Sequence, residues 1–123
     1  MKTVIPDLLA YETVFRFEGG VIDLVEIEPL ARYKPVIHLK TDEVYVLIKG
    51  EISYYIDGVR HDFEKGDVFK VPRGVPHGFI NFKKESAAIL SILFPRYDPE
   101  DVVESDAEDV RFREDLEKLT KRS

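Results

Sequence analysis

The chain has 123 residues, 44% hydrophobic and 34% charged, which suits one globular domain with one hydrophobic core and excludes two. Its formal net charge of −6 argues against a nucleic-acid partner, because phosphate backbones select basic surfaces. Cysteine is absent, which excludes disulfides and thiolate ligands, so any metal must be held by histidines and carboxylates.

No apolar run approaches the length of a membrane span, and the N-terminus lacks a signal-peptide pattern, so the expectation is a cytoplasmic protein with no membrane partner. Asn81 is the only asparagine and glutamine is missing, while Glu and Lys are abundant, a bias found in thermophiles. Asn81 itself reads as a strand cap or a partner for backbone groups.

In chain order, Val4, Ile5, Leu8 and Leu9 form an apolar patch broken by Pro6, an edge strand or a short docked segment. Tyr11 to Phe17 alternates with Tyr11, Thr13, Phe15 and Phe17 on one side, the pattern of a half-buried strand. Gly19-Gly20 turns the chain, and Val21 to Glu28 is a second strand with Asp23, Glu26 and Glu28 among apolar residues. Arg32 to Leu39 is a strand that carries His38, with Pro35 marking an edge or a bulge.

Glu43 opens the run Val44 to Ile48, whose β-branched and aromatic content predicts a strand buried on both faces. Ile52, Tyr54 and Ile56 alternate with Ser53 and Tyr55, and Asp57-Gly58 predicts a hairpin to Val59–Phe63. Val68 to Val71 leads through the turn Pro72-Arg73-Gly74 into a strand bearing His77, Phe79 and Asn81. Ser86 to Phe94 is the last strand, and a total of about eight or nine short strands implies an all-β sandwich or barrel.

The tail changes character. Asp98 with Pro99 reads as a helix start, Ser105 with Glu108 as a capping box, and Val110, Phe112, Leu116 and Leu119 as a helical stripe. The expected arrangement is a short helix and then a longer one, packed on the barrel or on a second subunit.

The stretch Gly66 to Asn81 resembles the second motif of the cupin family, G-x5-P-x-G-x2-H-x3-N, with Gly66, Pro72, Gly74, His77 and Asn81 at its fixed positions. The family's first motif, G-x5-H-x-H-x3-4-E-x6-G, is matched by His38, Glu43 and Gly50, with Val36 at the first histidine and Leu30 at the leading glycine. The resemblance spans most of residues 10 to 95. It implies a double-stranded β-helix (jelly-roll) barrel over residues 1–97, with residues 98–123 as a C-terminal helical tail.

It further implies that His38, Glu43 and His77 point into the barrel and bind a divalent metal ion, with Fe, Zn, Mn and Ni all compatible with two imidazoles and a carboxylate. Glu43 and Tyr45 are the candidate catalytic residues, since Tyr45 shares the side of Glu43 in an ideal strand and offers a hydroxyl to orient a ligand. The implied activity is isomerisation or oxygenation of a small polar molecule, a sugar or an organic acid. The alternative is a non-catalytic binding or sensing module in which Val36 marks a degraded site. A homodimer joined through sheet edges is the expected assembly. His61 reads as a packing residue on the face of Val59 and Phe63. Arg73 reads as solvated, with recognition of an anionic substrate as its alternative role.

Overall fold

The structure, a computed structural model, describes residues 2–95, 98, 100–105 and 109–122. In chain order its elements are β1 (Thr3–Ile5), β2 (Leu9–Phe17), β3 (Gly20–Ile27), β4 (Arg32–Ile37), β5 (Thr41–Lys49), β6 (Glu51–Ile56), β7 (Val59–Glu64), β8 (Val68–Val71), β9 (His77–Ile80), β10 (Ala87–Pro95), β11 (Val103–Glu104) and α1 (Val110–Arg122). Two sheets result, ordered β1-β2-β3-β10-β5-β8 and β11-β4-β9-β6-β7. The chain crosses between them after β3, β4, β5, β7, β8, β9 and β10, and this alternation winds a double-stranded β-helix.

The core lies between the sheets. Ile27, Leu47, Ile52, Tyr54, Val71, Phe79 and Ile89 are buried there, with Leu8 and Leu9 packed against them. A second cluster forms on the outer face of the smaller sheet, where Phe112 and Leu119 of α1 cover Tyr55 and Ile80. Full burial of such side chains contributes about 1.5–3 kcal/mol each. The helical stripe therefore packs on its own barrel. Val110 is outside that stripe, at 47% exposure.

Turn chemistry fixes the connections. Asp57 and Gly58 both take positive φ (52° and 80°), the conformation of a two-residue hairpin turn joining β6 to β7. Leu30, at the position of the first motif's leading glycine, also has φ of 60°. The backbone there keeps the left-handed shape although the residue is not glycine.

Several expectations change. The strands number eleven among the described residues: the apolar N-terminal patch supplies the edge strand β1, and β11 is a two-residue element without its own hydrophobic pattern. A bulge between Thr13 and Phe15 shifts the β2 register, so Phe15 and Phe17 stack on each other at the surface and Val14 is also exposed. β5 is buried on its inner face only. Its outer face is half-buried and Ile48 is 38% exposed, because α1 covers the other sheet.

In the tail, Asp98 accepts the Glu100 amide within a turn, and β11 then pairs with β4 where a first helix was expected. Pro99 and Glu108, parts of the expected helix start and capping box, lie outside the described residues. Asp109 caps α1, accepting the Phe112 amide at 2.9 Å.

Candidate metal centre and its cavity

Two sequence segments meet at one point inside the barrel. β4 ends at Ile37, so His38 sits just past the strand and not within it. The turn after β8 reaches it: Gly74, at φ 81°, donates its amide to the His38 carbonyl at 2.7 Å. β9 then begins at His77, opposite Val36 of β4. Glu43 enters from β5 of the facing sheet.

His38 Nε2 lies 3.1 Å and His77 Nε2 3.2 Å from Glu43 Oε1. The three ligand atoms fall within 4.8 Å of one another. Two donors each about 2.1 Å from a common ion stand about 3.0–3.4 Å apart at angles between square and tetrahedral, so the observed spacing matches a shared cation. The imidazoles stack with centroids 5.0 Å apart. His38 Nε2 and Glu43 Oε1 are buried without a hydrogen-bond partner. The residues therefore fit a metal: two converging nitrogens and a carboxylate oxygen, with buried atoms left unsatisfied.

The surroundings aim these atoms. His77 Nδ1 is 3.0 Å from the Val75 carbonyl, which only accepts, so Nδ1 carries a proton and donates it there. His77 Nε2 then faces Glu43 Oε1 at 3.2 Å, a spacing that a shared cation or a proton on Nε2 would satisfy. Tyr45 donates its hydroxyl to Glu43 Oε2, and Ser91 Oγ approaches the same oxygen at 3.5 Å. These contacts turn Oε1 toward the imidazoles.

Electrostatics follow the packing. Burial pushes the Glu43 carboxyl up, but the His77 and His38 imidazoles and the Tyr45 hydroxyl outweigh it and hold its pKa below the ordinary value. Burial lowers His38, assisted by His77 and opposed by Glu43 and Asp101. Burial and the Glu43 charge raise Tyr45 well above its ordinary value, so its hydroxyl stays a proton donor.

The group opens on a cavity of about 290 Å³ between the sheets. Tyr33, Tyr45, Tyr54 and Phe79 form aromatic walls, and Val36 lies in the same lining. Other candidates lie elsewhere. His61 is exposed and stacks on Phe63 without joining the apolar interior, because Val59 beside it is itself 55% exposed. Arg73 pairs with Asp42 at 3.2 Å outside the cavity lining. Asn81 uses its amide on the Glu28 and Glu85 carbonyls and accepts from the Lys83 amide, as a backbone partner.

Sequence reasoning missed Asp23, Ser91, Tyr33 and Tyr54, which all line the cavity. The alternation of β3 carries a signal for Asp23, since its position faces the same side as Val21, Val25 and Ile27, but a charged residue in a strand is ordinarily assigned to solvent. Tyr54 alternates with Ser53 and Tyr55, a pattern that does not by itself say which face meets the cavity.

The sequence profile of a family described as the cupin domain matches residues 23–93. An uncharacterized protein of Aquifex aeolicus is 30% identical over 69 residues, a match spanning 56% of each chain and so about half the length of that relative. Among solved structures, KdgF from a Halomonas species superposes with a TM-score of 0.73 at 17% identity, covering 80% of this chain and 88% of that one. TT1209 from Thermus thermophilus gives 0.69 at 28% identity, covering 76% and 89%. A sugar phosphate isomerase of the cupin superfamily from Silicibacter pomeroyi gives 0.71 at 21% identity, covering 87% and 76%.

Proposed function

The chain belongs to the cupin family, and from that premise we propose that it is a metal-binding cupin acting on a small polar molecule, a sugar or an organic acid, as an isomerase or oxygenase. One observation carries the reading. His38 Nε2, His77 Nε2 and Glu43 Oε1 converge within 4.8 Å of one another, and His38 Nε2 and Glu43 Oε1 are buried without a hydrogen-bond partner.

A divalent ion on these three side chains supplies Lewis acidity toward a carbonyl or hydroxyl and leaves coordination positions open for water and ligand. The remaining roles belong to the chain. Tyr45 fixes the Glu43 carboxylate and presents a protonated hydroxyl to the cavity. Val75 fixes the His77 ring through its carbonyl. The aromatic walls give a ligand apolar surface to lie against.

A second reading has its own observation. Val36 is buried in the cavity lining, opposite His77, so the position of the motif's other histidine offers no nitrogen. On this reading the cavity binds a small ligand without turning it over.

Elemental analysis of untagged protein purified without chelator tests the proposal. Near-stoichiometric metal that disappears in His77→Ala supports it, and the identity divides the chemistry, iron toward oxygen and zinc, manganese or nickel toward isomerisation. Metal-free protein that also fails to load with excess divalent ions leaves the binding reading.

A further inference from the structure

A polar row crosses the larger sheet, running from Tyr45 and Ser91 beside Glu43 out to Asp23 and Thr13. In the antiparallel registers, Thr13 of β2 lies opposite Asp23 of β3, Asp23 opposite Ser91 of β10, and Ser91 opposite Tyr45 of β5. The neighbouring row below is apolar: Tyr11, Val25, Ile89 and Leu47 carry it across the same strands, with only the Tyr11 hydroxyl at its edge. Thr, Asp and Ser side by side inside a barrel are costly unless something polar faces them.

Asp23 is the informative member. It is 6% exposed and lines the cavity. Thr13 Oγ1 donates to Asp23 Oδ1 at 2.7 Å, and no Lys or Arg among the described residues forms an ion pair with it. A carboxylate accepts about four hydrogen bonds, so most of its acceptor capacity is left for a ligand. Two strand spacings separate β3 from β5, so Asp23 stands about 10 Å across the sheet from Tyr45. The cavity's volume of about 290 Å³ lies at the small end of ligand sites and limits the ligand to about one six-membered ring.

Charge selects the ligand further. No Lys or Arg is among the described residues lining the cavity, whereas Asp23, Glu43 and Asp98 are. A divalent ion would offset two of these three formal negative charges and leave one over, which disfavours an anion. We propose that Asp23 is a ligand-anchoring residue, and that the cavity takes a neutral, hydroxylated six-membered ring of the pyranose type. One ring hydroxyl donates to Asp23 while the ring lies against the aromatic wall. The inference rests on the proposed reading that this cavity is the ligand site of a metal-loaded protein.

The test uses the full chain, loaded with metal, and two probes: methyl β-xylopyranoside, which is neutral, and glucuronate, which carries a carboxylate. Binding is measured by ligand-observed NMR for the wild type and for Asp23→Asn, which keeps an acceptor for Thr13. The wild type is expected to bind the xyloside at least tenfold tighter than glucuronate. Asp23→Asn is expected to lose about tenfold in xyloside affinity, the cost of exchanging a charged acceptor for a neutral one. Its metal content and circular dichroism should match the wild type, and its Tm should be equal or higher, since a buried charge has been removed.

Equal xyloside binding by wild type and Asp23→Asn overturns the inference. So does tighter binding of glucuronate by the wild type, or no xyloside binding at tens of millimolar. The failures separate cleanly. A wild type that carries no metal yet binds the xyloside through Asp23 defeats the metal proposal alone. A metal-loaded wild type indifferent to Asp23 defeats this inference alone.

Discussion

Val36 lies directly opposite His77 in the β4–β9 ladder, with both side chains in the lining of one cavity. An imidazole at this position would stand beside the ring it faces and within reach of the same ion. Val36→His is therefore expected to tighten metal binding by at least tenfold, measured by competition against a chelator of known affinity. Unchanged affinity would show that the site uses only His38, Glu43 and His77. Val36→Leu, which adds bulk without a nitrogen, should leave metal affinity flat or lower it.

Asp101 is expected to act on the site without touching it. Its carboxylate accepts the amides of Leu39 at 3.0 Å and Lys40 at 2.7 Å, and the Thr41 hydroxyl at 3.2 Å. These bonds pin the loop that carries His38 from outside the barrel. Asp101→Ala removes three hydrogen bonds made by a buried carboxylate and should cost about 2 kcal/mol in a urea titration. Metal affinity should fall by about tenfold, as for other residues that hold a ligand in place. A stability loss with unchanged metal affinity would mean that the loop keeps His38 in position unaided.

Gly78 separates His77 from Phe79 at a place where two strands nearly touch. A Cβ built on Gly78 would meet the Tyr33 carbonyl oxygen at 2.5 Å and the Pro35 nitrogen at 2.8 Å. Gly78→Ala must push β4 away at its bulge, displacing Val36 and His38 relative to His77. The expected result is a loss of about 1–3 kcal/mol together with weakened metal binding. Gly58→Ala is the control. Nothing lies within 4 Å of its added methyl, and only the positive φ of 80° opposes it, at about 1–2 kcal/mol and with no effect on metal.

The acid limb of stability should depend on Asp115. Its carboxylate is 1% exposed and accepts from Tyr55 at 2.7 Å, from Arg111 at 3.0 Å and from Arg60 at 3.1 Å. Burial pushes its pKa up, but the Tyr55 hydroxyl and the Arg111 and Arg60 guanidiniums outweigh that and leave it lowered. A depressed folded pKa means that the unfolded chain binds the proton first as pH falls. The stabilisation is present in full above the unfolded value of about 3.9 and is lost as pH drops through the folded value. Asp115→Asn should cost about 3 kcal/mol at neutral pH and flatten the fall in urea midpoint below about pH 4. An unchanged acid limb would assign it to other carboxylates.

What the sequence revealed follows physical lines. His38, Glu43 and His77 were joined only through the resemblance to the cupin motifs, because no local spacing brings them together, whereas the turn Pro72-Arg73-Gly74 before His77 was legible from backbone geometry. Asp57-Gly58 was legible for the same reason. Asp23 was not, because alternation alone leaves open which face of β3 meets the core until β2 and β10 are in place. The exposure of Phe15 was hidden by a bulge, which inserts one residue and inverts the face of everything after it. β11 was hidden because two residues have no periodicity, and its existence depends on β4 lying alongside.

The bond between Asp101 and the Lys40 amide also sets a schedule. A ribosome adding some 5–20 residues per second makes Asp101 about 3 to 12 seconds after Lys40. β5 and β9 are made meanwhile, so His38, Glu43 and His77 are all in the nascent chain before the clasp on the His38 loop exists. If these residues hold a metal as proposed, an ion arriving in that interval would meet a looser site than the one in the finished protein. Loading during synthesis and loading after release would then be different reactions, the first into an open loop and the second into a fastened one.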